Sequence, residues 1–171
     1  MSARVVFLGL LLASVFAMPV QAAKVEVGDT PPEYLGKDPD GEKIHLSEYR
    51  GKVVVVTFWA TWCPPCMIEL PMLEALQRQA GQERMRVIAI NFKQGRKAYH
   101  QIIRQLDEFE MIIAYDWKGR VAGRYGVKGL PHMFIINKQG KVADIHLGYS
   151  EKAIDPIIDS LNALLLEDYT P

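Results

Sequence analysis

Uninterrupted apolar runs alternate along this chain with stretches in which apolar positions recur every three or four residues, and that alternation lays out its elements. Val53 to Trp59 and Met85 to Phe92 are near-continuous apolar runs, the pattern of strands buried on both faces of a parallel or mixed sheet. Between them Leu70, Leu73 and Leu76 fall at helical spacing, predicting a helix from Cys66 to Gln79 and a right-handed βαβ unit. A second helix is predicted from about Lys97 to Phe109, with Tyr99, Ile102, Ile103, Leu106 and Phe109 on one core-facing stripe. Met111 to Tyr115 reads as a short strand, and Gly119 to Tyr125 as a short helix stopped by Gly126. Met133 to Ile136 and Val142 to Leu147 flank the turn residues Asn137-Lys138-Gln139-Gly140 as a hairpin. The last helix takes Asp155 as N-cap and Pro156 at its first position, and buries Ile157, Ile158, Leu161, Leu164 and Leu165. Ahead of these elements, Asp38-Pro39-Asp40-Gly41 signals a turn and Lys43 to Leu46 alternates like a strand, so Lys24 to Gly51 forms an extension with a small hairpin. Helices alternating with strands, closed by a hairpin, give an α/β sandwich with a mixed sheet.

Residues 1–22 stand outside this pattern. Arg4 is their only charge, Val5 to Met18 is apolar, and Val20-Gln21-Ala22 places small residues where a signal peptidase cuts. A cleaved signal peptide over 1–22 and a single domain over 23–171 are expected. The alternative, an uncleaved anchor, is disfavoured because the apolar stretch falls short of the ~20 residues that span a bilayer. No cysteine follows the stretch to carry a lipid. Export to the periplasm is therefore expected. The chain has 20 basic and 20 acidic residues, and a balance that even gives no reason to expect nucleic acid or an anionic membrane surface as partner.

Candidate chemistry centres on Trp62-Cys63-Pro64-Pro65-Cys66, which holds the only cysteines of the chain and lies where strand gives way to helix. At a helix N-terminus, unpaired backbone N–H groups and the helix dipole favour a thiolate, and Pro65 fits a first turn. A Cys-x-x-Cys at such a junction reads as a redox pair. A structural disulfide or half of a metal site are the other readings. A two-residue loop restrains the unfolded chain little, and His45, His100, His132 and His146 lack the paired spacing of a structural zinc site. In an oxidising compartment a dithiol needs a dedicated electron donor, or it acts as an oxidant.

Phe58-Trp59-Ala60-Thr61-Trp62-Cys63-Pro64-Pro65-Cys66, then Glu69 and Pro71, Tyr125-Gly126-Val127-Lys128-Gly129-Leu130-Pro131, and Gly148 together resemble the thioredoxin superfamily. Within it they are similar to the TlpA/ResA branch of exported thiol-disulfide proteins, over about Val25 to Leu166. The resemblance implies a thioredoxin-like three-layer sandwich with an N-terminal hairpin extension and an extra helix between core strands. It implies an enzyme, a thiol-disulfide oxidoreductase with no cofactor beyond the Cys63/Cys66 disulfide. Cys63 would be the exposed nucleophile and Cys66 the resolving thiol; Trp59 would pack beneath them. Trp62, Pro64, Leu130 and a cis Pro131 would meet the substrate, with Leu130's backbone pairing to an extended peptide. Implied partners are disulfides of exported proteins, such as apocytochrome c or copper-site assembly factors, and a membrane thiol-disulfide reductase as donor, the protein itself acting as a monomeric reductant.

Two departures sharpen the expectation. Classical thioredoxins carry a buried aspartate where this chain has Thr57, whose hydroxyl cannot take a proton from Cys66. Glu69, three residues beyond Cys66 on nearly the same helix face, is the substitute base, the plainer reading being a first-turn acid that suits the helix dipole. His132, directly after Pro131, is either a third metal ligand beside the cysteines or a loop residue shaping the docking surface. The first option underlies an alternative function, a copper chaperone using Cys63, Cys66 and His132; a disulfide oxidant or isomerase is the other. A peroxiredoxin is excluded, because Val56 and Ala60 stand where its motif places Pro and Thr.

Overall fold

A computed structural model describes residues 24–169; the signal segment expected over 1–22 lies outside the described residues. The elements in chain order are β1 (Tyr34–Lys37), β2 (Lys43–His45), β3 (Val53–Trp59), α1 (Pro64–Ala80), β4 (Met85–Phe92), α2 (Arg96–Ile103), β5 (Ile112–Asp116), α3 (Arg120–Tyr125), β6 (His132–Ile136), β7 (Val142–Leu147) and α4 (Ile154–Leu166). The strands form one mixed sheet in the order β2-β1-β5-β4-β3-β6-β7. β3 lies parallel to β4, and β4 to β5, while β6 runs antiparallel to β3 and to β7.

Successive residues of a strand point to opposite faces, so the apolar runs feed two cores. Val55, Trp59, Val87 and Ala89 face α1, α2 and α4. Val54, Val56, Phe58, Ile88 and Ile90 face α3 and the N-terminal hairpin, whose Leu35, Ile44 and Leu46 are buried there. This is the three-layer sandwich with hairpin extension that the resemblance implies.

Three helix boundaries differ from expectation. α1 begins at Pro64, with both prolines in its first turn and Cys63 as N-cap. α2 ends at Ile103 rather than Phe109. Beyond it the chain continues in tight turns, Gln105 bonding back to Ile102, Leu106 to Ile103 and Phe109 to Leu106. These turns keep a three-residue spacing, so Leu106 and Phe109 still pack on the core without a helix beneath them. α4 starts at Ile154 with Ala153 as N-cap, because a 3₁₀ turn over Glu151–Ala153 runs straight into it. Asp155 and Pro156 therefore fall inside the first turn, where proline's missing N–H has no helical partner to lose.

β7 is an edge strand. Its Ile145 N–H donates to the side chain of its own neighbour, Asp144 Oδ1, at 2.8 Å, and the other oxygen of that carboxylate lies 3.0 Å from His146 Nε2.

Candidate active site

Cys63 and Cys66 form a disulfide at the start of α1, with S–S 2.07 Å and Cα–Cα 5.3 Å. Cys63 N–H donates to Ala60 O at 3.1 Å and Cys66 N–H to Cys63 O at 3.0 Å, so the motif folds as two tight turns. Because Pro64 and Pro65 fill the first helical positions, neither contributes an N–H there. The expectation of several free amides around Cys63 is thus corrected: the helix dipole remains, but two of its donors are gone. The expectation of an exposed nucleophile is corrected as well. Cys63 is 4% exposed and Cys66 is fully buried, both packed with Trp59 in the core beneath the motif, while Trp62 is 62% exposed.

Glu69 stands one turn beyond Cys66 and is 1% exposed. Its Oε1 accepts a 2.6 Å hydrogen bond from Thr57 Oγ1, donated from β3 across the same core. Burial raises the Glu69 carboxyl from 4.5 to about 7, against the opposing pull of the Thr57 hydroxyl. The residue that stands where classical thioredoxins carry an aspartate is thus the one that holds the candidate base, and the carboxyl titrates where proton transfer at neutral pH needs it.

Pro131 follows a cis peptide bond from Leu130, and its carbonyl accepts from Gly148 N–H at 2.8 Å. The loop brings Leu130 and Lys128 opposite Trp62, Cys63, Pro64 and Phe92 across a groove of about 420 Å³. Trp62, Cys63, Pro64 and Leu130 therefore share one surface, and Glu69 lies behind it.

His132 does not join them. It pairs in register with Phe58 and stacks on Phe134 with ring centroids 4.6 Å apart, and both phenylalanines belong to the core opposite the cysteines. It is a buried strand residue, neither a ligand aimed at the sulfurs nor a loop residue. Burial, with Lys24 nearby, holds its imidazole below the ordinary value, which favours the neutral form. A copper site built from Cys63, Cys66 and His132 is ruled out by this placement on two sides of the sheet.

Sequence reasoning missed Gln94. This buried residue after β4 accepts from Thr61 N–H at 3.1 Å and from Asn91 Nδ2 at 3.0 Å, and donates to Thr61 Oγ1 at 2.5 Å. Tyr115 OH in turn donates to Gln94 O at 2.7 Å. The turn before Cys63 is thereby tied to β4 and β5. The available signal was position: loops after the carboxyl ends of parallel strands are where α/β sheets place their sites.

Residues 26–163 match the Redoxin family. The thioredoxin-like protein YneN of Bacillus subtilis is 34% identical over 130 residues, 75% of either chain. The thiol-disulfide oxidoreductase ResA of Bacillus thuringiensis subsp. konkukian is 34% identical over 119 residues, 70% of this chain and 68% of that one. A Chlorobium tepidum crystal structure, assigned as a thiol:disulfide interchange protein DsbE, matches with a TM-score of 0.74 at 29% identity, over 83% of this chain and 99% of the other.

Proposed function

Since this chain belongs to the Redoxin family as a thiol-disulfide oxidoreductase of the ResA and DsbE type, we propose that it is an exported reductant, holding Cys63 and Cys66 as a dithiol and reducing disulfides of other exported proteins. The observation that carries this reading is the buried Glu69, held by Thr57 one turn behind Cys66. In the proposed cycle the Cys63 thiolate attacks one sulfur of a substrate disulfide, and the other sulfur leaves as a thiolate and takes up a proton. Cys66 then gives its proton to the Glu69 carboxylate and attacks Cys63 Sγ, and the second substrate sulfur leaves as a thiolate that takes up a proton, leaving Glu69 to return its own to solvent. The substrate gains two electrons, and the protein ends as the Cys63–Cys66 disulfide of this structure.

Direction follows from what stabilises the Cys63 thiolate. A strong oxidant stabilises its reduced form, and here two first-turn amides are missing and a buried carboxyl sits behind the pair. Lys128 on the groove acts in the opposite sense, but it is exposed and screened by solvent. Leu130 stands outside β6, so its backbone groups are not committed to the sheet ladder and are placed to pair with a substrate segment. Trp62 and Pro64 form the facing wall. Regeneration falls to a membrane thiol-disulfide reductase, and the protein disulfides served are those of the family's maturation pathways, apocytochrome c or copper-site assembly factors.

A redox titration of Cys63/Cys66 against glutathione or dithiothreitol tests the direction. The expected potential lies near that of thioredoxin, about −270 mV; a value close to about −120 mV, that of strong periplasmic oxidants, would reverse it.

A further inference from the structure

The chain's charges balance in number, yet they are not spread evenly around the groove. The segments joining the parallel strands to their helices carry Lys93 and Lys118, the helices that follow open on Arg96 and Arg120, and the loop before β6 carries Lys128. The acid next to them, Asp116 at the end of β5, is buried, and its carboxylate oxygens are taken up by the N–H groups of Arg120 and Ala122, at 2.8 and 2.9 Å. The next loop, after β7, adds Glu151 and Lys152, which cancel.

Lys93 is the residue that turns this asymmetry into an argument. Its φ of 47° makes it the one non-glycine residue in the left-handed region among the described residues, where glycine fits with less strain. A backbone suited to glycine carries a long cationic side chain instead. Its N–H is pinned to Asp116 O at 3.1 Å. Its stem lies over Gly119, where an added β-carbon would come within 2.4 Å of Lys93 Cε and 3.1 Å of Phe92 Cε2. The ammonium is thereby held 5.1 Å from the centroid of Phe92, a ring that lines the groove. Lys128 lines the groove directly.

We propose that Lys93 and Lys128 form a cationic rim that selects protein disulfides flanked by Asp or Glu, with the apolar groove between Trp62 and Leu130 receiving the residues beside the substrate cysteine. This inference rests on the exchange function proposed above and names its substrate class. A basic surface also suits an anionic membrane, but these cations border a groove with Cys63 in its wall, so the ligand they favour is one that presents a sulfur there. Cations around a cleft raise the encounter rate of anionic ligands, and salt removes the advantage.

The test uses the reduced protein and three peptides that differ only beside a single disulfide, which is flanked by aspartates, by serines or by lysines. At low salt the aspartate peptide should be reduced about tenfold faster than the lysine peptide, and the gap should close to within about twofold at high salt. Lys93→Gly, which suits the backbone, should narrow the ratio, and Lys93→Glu combined with Lys128→Glu should invert it. The ratio is read within each protein sample, so partial loss of folded protein cancels. Equal rates for the three peptides, or an order that survives both salt and substitution, overturn the rim. Binding to phosphatidylserine vesicles together with equal peptide rates overturns it in favour of a membrane. No exchange with any peptide overturns the exchange function itself, and this inference with it.

Discussion

At the scale of single residues the arrangement turns on one carboxyl. An ordinary Glu ionises at 4.5, whereas burial puts the Glu69 carboxyl at about 7, so near neutrality it can both hold and release a proton. The folded value lies above the unfolded one, so the folded state binds this proton more tightly. That stability is complete below 4.5, falls as pH rises between the two values, and is gone above about 7. A shift of this size corresponds to on the order of 3 kcal/mol. Glu69→Gln should therefore flatten the fall in stability between about pH 4.5 and about pH 7, as read from urea unfolding. It should also slow release of the mixed disulfide, by about a hundredfold above neutrality and far less in acid. A variant whose release rate matches the native protein at every pH would remove Glu69 from proton transfer. The position of Glu69 could be read from its spacing to Cys66, and Thr57 from its departure from the family pattern. Their hydrogen bond could not, because it joins two elements twelve positions apart in the chain. Lys93 was equally hidden, since nothing in a polar residue's identity announces a positive φ.

At the scale of elements, α1 does more than present the cysteines. Its Gln77 is fully buried, and the side-chain Oε1 accepts the Val87 N–H at 2.7 Å. β5 begins opposite Ile88, one residue too late to offer Val87 a ladder partner, so the helix supplies one. Glu74 does the same for the approach to β5, accepting from Glu110 and Met111 N–H at 2.9 and 3.0 Å. Gln77→Leu would keep the bulk and strand the Val87 amide, at a cost of about 1–3 kcal/mol. Chemical unfolding should register that loss while the reduction potential stays put, since Gln77 lies well along the helix from Cys66; a shifted potential would mean that the helix transmits strain to the pair. Element types and the β3, β4 and β7 boundaries were legible because continuous or strictly alternating patterns leave little choice of register. The ends of α2 and the start of α4 were not. Leu106 and Phe109 keep helical spacing while the chain makes separate turns, and a 3₁₀ turn leaves Asp155 no free amide to cap.

At the scale of the molecule, chemistry and stability are divided between the two faces of the sheet. The cysteines, Thr57 and Glu69 occupy one face, while the N-terminal hairpin seals the other with fully buried Leu35. Leu35→Ala should cost about 2–5 kcal/mol through the cavity it leaves. The exchange rate per folded molecule should be unaltered, checked by normalising activity to the folded fraction from denaturant titration; a matching drop in that rate would show the faces to be coupled. The division also explains what was legible: the face that reacts declares itself by its cysteines, whereas the hairpin's sealing role depends on a sheet order that no local pattern encodes. The sheet ends in two free margins, and a margin with unpaired amides invites a second molecule to extend it, then a third, into a fibre. β2 limits that risk by running for only 3 residues. At β7 the Asp144 carboxylate, by holding the Ile145 amide, takes a docking point away from any incoming strand and adds negative charge there, so the longer margin resists growth into polymer even when the protein is concentrated.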